Sequence, residues 1–194
     1  MRAEPHQEVL LYYCYAELSA ADRQRLAAFY SADGASNRLA GRVRVARDGV
    51  NATLRGSATA LRDHARALSS AEALGAEAAS RIDLKYAAAA AGCSSHLSDC
   101  GMDALHVRIT EELVTLGPRS AGVSEVSTSA PHLTPREFHA AAADASRAAS
   151  TVLIDTRNAY EHAVGRLDFA AEGGAPTLLP PIRQMSDFAA WADA

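Results

Sequence analysis

Of the 19 basic side chains in this chain only Lys85 is a lysine, so its cationic chemistry is almost wholly guanidinium. Cysteine is sparse too, at three residues. Cys14, Cys93 and Cys100 form an odd set without framework spacing, which excludes a disulfide scaffold and points to a reducing compartment. No stretch approaches the roughly 18 consecutive apolar residues of a membrane span. The start is polar, with Glu4 and Glu8 ahead of the first apolar run at Val9, and it lacks both a secretory h-region and an Arg/Ser-rich transit segment. These absences predict a cytoplasmic protein. Aromatic residues make up 6%, and a formal net charge of −4 excludes a uniform polycation that would coat nucleic acid. Any nucleic-acid surface must therefore be local. The hydrophobic fraction of 48% supports a core, although alanine supplies much of it and buries little area per residue.

Strand and helix periods alternate along the first half. Val9–Tyr15 is β-branched and aromatic enough for a strand, and Ser19 is placed to cap a helix over Ala20–Tyr30, with Gly34 ending that region. In GRVRVARDGVNATLRGS, Gly41–Ser57, Val43 and Val45 alternate with arginines, and Val50, Ala52 and Leu54 alternate again. Asp48-Gly49 between them predicts a hairpin turn. An Ala-rich helix is expected from about Thr59 to Leu68, and strands over Arg81–Tyr86 and Leu105–Leu116. The tract Ala87–Ala91 reads as loop filler. This order predicts an α+β fold with a ferredoxin-like antiparallel sheet and helices on one face, over residues 1–117.

A Ser/Thr/Pro/Gly-rich linker follows over 118–134. Residues 135–194 then read as the beginning of an α/β domain. Thr134 and Glu137 form a capping box for a helix with Pro135 in its first turn. Val152–Asp155 is an apolar run ending in a carboxylate, the pattern of a parallel strand buried on both faces. No further strand is obvious after it, because Pro180-Pro181 interrupts the next segment. Ser186–Trp191 predicts a short amphipathic helix anchored by Phe188 and Trp191.

Two groups of residues could carry function. Arg42, Arg44, Arg47 and Arg55, extended by Arg38, Arg62 and Arg66, concentrate positive charge against only Asp48 and Asp63. A flat sheet face carrying guanidinium groups suits RNA phosphates; the alternative is a solvated face. The same face offers no run of aromatics, which speaks against a base-stacking platform. Asn51 is either a turn-stabilising amide or a ligand contact. At the end of the later strand, Asp155 and Arg157 either orient a neighbouring loop and its anionic ligand or form a structural ion pair, with Glu161 and Arg166 as further partners. Cys93, His96 and Cys100, with Asp99 or His106 as a fourth group, match no common zinc spacing, so no metal is assigned. Cys14 lies inside a predicted strand and reads as core.

Three stretches, in order, resemble one family. GRVRVARDGVNATLRG (Gly41–Gly56), EELVTLG (Glu111–Gly117) and DTRN…YE…GR (Asp155–Asn158, Tyr160-Glu161, Gly165-Arg166) are similar to the motifs of the rhodanese-like tRNA uridine hydroxylases. The chain departs from them at Asp48, where Glu is usual, at Ala52, where Gly is usual, and at Leu167, where Phe is common. The resemblance implies oxygen-dependent hydroxylation of the wobble uridine of tRNA, with molecular oxygen as co-substrate, tRNA as partner and no other cofactor identified. It also implies a reactive cysteine on a loop that would fall after Ala194, so no catalytic residue is assigned and the chain as given is expected to be inactive. The alternative is a non-catalytic RNA-binding module with a vestigial rhodanese-like tail. Acylphosphatase-like hydrolysis is permitted by the predicted fold class, but no phosphate-loop motif stands near the first strand.

Overall fold

A computed structural model describes residues 7–88, 103–115 and 133–194. They fall into two compact units, one of the described residues up to Leu113 and one of those from Val114 on.

In the first unit, strand β1 (Gln7–Tyr15) turns Leu10, Tyr12 and Cys14 inward and Leu11, Tyr13 and Tyr15 outward. Helix α1 (Ala20–Asn37) starts at a capping box, Ser19 with Asp22, which satisfies two backbone donors that the helix itself leaves unpaired. It runs past the expected end, because Gly34 is a packing site and not a terminator. A Cβ there would fall 2.2 Å from a methyl of Leu105. The helix ends instead at Arg38, in the left-handed conformation with φ 52°.

Strands β2 (Ala40–Ala46) and β3 (Gly49–Ser57) form the expected hairpin, but its two-residue loop is Arg47-Asp48 and Gly49 already pairs with Ala46. Gly49 has φ 136°, and a Cβ on it would meet the Cys14 carbonyl oxygen at 2.0 Å. Helix α2 (Ala58–Ser69) follows, capped by Ser57. A short helix α3 (Ala76–Ser80) was not expected. Its Arg81 C-cap displaces the next strand, which is β4 (Lys85–Ala88) and not Arg81–Tyr86. Ala87 and Ala88, read from sequence as filler, are strand residues paired with β1. Strand β5 (Leu105–Ile109) is shorter than the alternation suggested. The chain turns after it because the Leu113 N–H donates to the buried Asp48 carboxylate (2.9 Å), folding Glu111–Leu113 back onto the hairpin loop.

The sheet order is β4-β1-β3-β2-β5, antiparallel except for the β2–β5 pair. The first four strands and their helices are the ferredoxin-like plan, and β5 adds a parallel edge. Side chains from α1, α2 and α3 share one core with the inward face of the sheet. Leu10, Leu26, Leu54 and Leu61 are fully buried there, each contributing about 1.5–3 kcal/mol relative to exposure. Within that core lies a polar chain. Asp33 Oδ2 is 2.6 Å from His64 Nδ1, His64 Nε2 is 2.8 Å from the Tyr12 hydroxyl, and that hydroxyl bonds Tyr30 Oη at 3.0 Å. The carboxylate fixes a proton on Nδ1, which leaves Nε2 of the neutral ring as an acceptor for Tyr12.

The second unit is thinner. Helix α4 (Pro135–Ala143) has the expected capping box. Strand β6 is only Leu153–Ile154, and it does find a partner: it pairs in parallel with β7 (Thr177–Leu178), which ends one residue short of Pro180-Pro181. One face of β6 is open, with Val152 just before it and Ile154 49% and 42% exposed, and Leu153 on the other face is only partly buried, which corrects the expectation of a strand buried on both sides. Helix α5 (Ala159–Val164) is capped by Asn158 with Glu161. Phe169 is the aromatic centre, edge-on to Phe138 and His139. Helix α6 (Phe188–Ala192) brings Phe188 and Trp191 together, both half-buried.

Burial holds the His64 imidazolium below its ordinary pKa, and its hydrogen bond to Asp33 only partly offsets this. The unfolded chain therefore takes up the proton first, so the stability tied to His64 is complete above its unfolded value of about 6.5 and declines as pH falls below it. Urea unfolding should show that decline between about pH 7 and 5. His64→Leu should be less stable at pH 8 by about 1–3 kcal/mol, having taken one hydrogen-bond partner each from Tyr12 and Asp33, with a flatter pH profile. Parallel profiles for the two proteins would contradict this account.

Candidate nucleic-acid interface

The open face of the first sheet is built from the outward side of the strand alternation. Register fixes who stands beside whom. Tyr13 is opposite Asn51, Asn51 opposite Arg44, and Arg44 opposite Arg108, so these four form one row across β1, β3, β2 and β5. The adjacent row reads Lys85, Leu11, Thr53, Arg42, His106 across all five strands. Arg55 lies in a third row between Val9 and Ala40. None of these outward strand positions carries a carboxylate. Arg42, Arg44, His106 and Arg108 border a depression of about 260 Å³.

The sequence reading of this face needs four corrections. Arg47 is at the hairpin loop, half exposed and 3.9 Å from Glu112, so it belongs to the fold-back of the chain as well as to the rim. Asn51 is exposed in the body of β3 and stabilises no turn. Arg38 ends α1, while Arg62 and Arg66 ride on α2, on the helix-covered side of the sheet, with Arg66 ion-paired to Asp63. The seven-arginine cluster is therefore divided. Finally, the face does carry aromatics: Tyr13 and Tyr15 project from it with ring centres 5.7 Å apart, edge to face. Burial, with Asp48 and Tyr13 nearby, pushes the Tyr15 phenol up, so it stays neutral at working pH.

Sequence reasoning did not place His106 and Arg108 on this face. Alternation announces a strand over Leu105–Ile109 but does not say that it lies beside β2. Cys14 is a core thiol. It is buried, donates to the Ala78 carbonyl (3.2 Å), and burial raises its pKa, the opposite of activation. Cys93, His96, Asp99 and Cys100 lie outside the described residues.

In the second unit the carboxylate at the end of β6 organises the loop after it. Asp155 accepts from Arg157 Nε (2.9 Å) and Nη2 (2.7 Å), from the Arg157 backbone N–H (3.1 Å), and lies 2.9 Å from His162 Nδ1. Arg157 Nη2 also donates to the Gly165 carbonyl at 3.0 Å. The hydrogen bonds from Arg157 first, then His162, hold the Asp155 carboxyl well below the usual carboxylate range. The arrangement ties strand end to loop, with His162 as an unforeseen third member. Glu161 serves elsewhere, capping α5 through Asn158. Arg166 lines a cavity of about 420 Å³ with Phe138, Leu153, Asp155, Arg157 and Thr177.

A four-stranded antiparallel sheet in the order β4-β1-β3-β2, helices on one face, defines an acylphosphatase-like domain, here with a basic open face. Residues 7–113 match the family described as the UPF0176 acylphosphatase like domain, and the chain belongs to that family. It is 37% identical to rhodanese-like domain-containing protein 6 of Arabidopsis thaliana, in a match covering 98% of this chain and 32% of that protein. It is 29% identical to proteins named tRNA uridine(34) hydroxylase from Brucella ovis and Brucella suis, over 92% of this chain and 50% and 49% of theirs. The chain thus spans between a third and a half of the length of these relatives.

Because the low pKa of Asp155 reflects bonds made only in the folded unit, their contribution is present above the ordinary carboxylate range and is lost as pH falls through the depressed value. Hydrogen exchange should find the amides of residues 157–165 protected at pH 7 and still protected at about pH 4, where a free carboxyl is half protonated. Asp155→Asn should lose that protection at both values. Equal protection in the two proteins would show that the cluster does not hold the loop.

Proposed function

We propose that this chain takes part in tRNA modification, with the open sheet face of its first unit contacting tRNA through Arg42, Arg44, Arg47, Asn51 and Arg55. The observation that carries the reading is the alignment of Arg42 and Arg44 with Arg108, His106 and Asn51 across neighbouring strands, on a face whose outward strand positions hold no carboxylate. The names of the Brucella relatives speak for the same chemistry. Backbone phosphates supply most of the affinity in such an interface, and guanidinium groups can add stacking on unpaired bases.

The modification itself is oxygen-dependent hydroxylation of the wobble uridine, with molecular oxygen as co-substrate and a cytoplasmic setting. The described residues offer no activated thiol for it, since Cys14 is buried. Asp155, Arg157, Glu161 and Arg166 act as supports of the rhodanese-like unit: the first two with His162 fix the loop, Glu161 caps α5, and Arg166 faces the cavity. The same facts lend weight to a second reading, an RNA-binding module whose rhodanese-like part does no chemistry.

Two measurements test this. Binding of unmodified tRNA should weaken steeply with salt, and Arg42→Ala with Arg44→Ala should flatten the log–log slope by roughly 1–2. An unchanged slope returns the patch to a merely solvated face. Incubation of the 194-residue polypeptide with tRNA, read by mass spectrometry, should give no hydroxylated uridine. Product that disappears on replacing Cys93 or Cys100 would overturn the assignment of no catalytic residue.

A further inference from the structure

Electrostatics accounts for the arginine end of the open face, β2 and β5. It does not account for the other end. On β1, Leu11, Tyr13 and Tyr15 stand outward with 43%, 38% and 42% of their surface exposed, an apolar stripe on a face that is mostly polar and cationic. Tyr13 begins the row that continues through Asn51 to Arg44 and Arg108. Aromatic, amide and guanidinium groups are therefore held at successive strand spacings of about 4.8 Å along one line.

We propose that Tyr13 and Tyr15 form a stacking platform for unpaired RNA bases, with Asn51 facing base edges and Arg44 and Arg108 holding the adjoining phosphates. The proposal rests on the reading that this face binds RNA and specifies what part of the RNA it takes. Three features favour a single strand over a duplex. A paired base has its faces occupied by neighbours, so exposed rings gain nothing from it. A flat sheet cannot enter the deep, narrow major groove of an RNA helix. A phenol ring stacks on any base, and the cations beside it supply charge complementarity to the flanking phosphates. A protein partner would need acidic groups opposite the five cationic positions Arg42, Arg44, Arg55, Lys85 and Arg108 and would leave the Asn51 amide without a purpose; that occupant is an outcome of the test below.

The test uses the full chain and three fluorescein-labelled probes of equal charge: a 12-nucleotide single-stranded RNA, the same RNA with abasic sugars, and a hairpin of matching phosphate count. Anisotropy at about 50 mM salt, where phosphate contacts are strong, should give about tenfold tighter binding of the intact single strand than of the other two. Tyr13→Leu keeps an apolar side chain but no ring, and should abolish that preference while leaving the salt slope unchanged. Tyr13→Phe should retain it. Equal binding of intact and abasic strands sinks the platform but leaves the arginine contact standing. No binding of any probe sinks both. Sedimentation without RNA supplies the remaining arm: a dimer present in the parent protein and lost in Tyr13→Leu would overturn the proposal in favour of a contact between copies of the chain.

Discussion

Strand β1 and strand β3 pair over nine residues each, and this central pair carries everything else in the first unit. Its inward side supplies Leu10, Tyr12, Cys14, Val50, Ala52 and Leu54 to the core, and its outward side supplies Tyr13, Tyr15, Asn51 and Arg55 to the open face. One set of backbone bonds thus fixes both the packing that stabilises the unit and the surface that it displays. The helices need only cover one side. Their largest buried polar group is the Asp33–His64–Tyr12–Tyr30 chain, where every member has a partner, whereas Arg23 of α1 buries its Nε without a hydrogen bond. Such a chain specifies how α1, α2 and β1 fit together more sharply than an apolar patch of equal size would.

How far the sequence could be read follows from how each feature is encoded. Val43 and Val45 facing in, with Arg42 and Arg44 facing out, is a local rule of period two, and it held. The caps at Ser19 and Thr134 were equally local and equally plain. The open face was only half legible, because what it contains depends on neighbours distant in sequence. Arg108 reaches it through a parallel pairing with β2, and Tyr13 through a register that alternation within β1 does not reveal. Ala87 and Ala88 carried no pattern at all, since a strand can be held by its backbone alone. His162 escaped notice for a related reason: it meets Asp155 only after α5 has turned the chain back.

The two units differ in what holds them. The first has a continuous apolar core; the second relies on Phe169 and its neighbours and on the polar knot at Asp155. Ile154, Leu178 and Leu179 remain more than a third exposed around a two-residue strand pair. With so little area removed from water, directed hydrogen bonds carry a larger share of the order in this unit than burial does, and acid therefore reaches it differently from the first. There the sensitive group is a buried imidazole, here a carboxylate held ionised.

The Arg47-Asp48 loop has a consequence for how this domain can change over generations. Three devices hold the loop to two residues: Gly49 against the Cys14 carbonyl, the Ala46–Gly49 pair, and the Asp48 carboxylate on the Leu113 amide. Because side chains alternate, gaining or losing one codon there would exchange the roles of adjacent residues along β2, sending arginines into the core and valines to water. Point substitutions on the face can be tried one at a time, but its reading frame cannot drift. Length variation in related domains should accordingly collect in the connections at other ends of the strands and spare this turn.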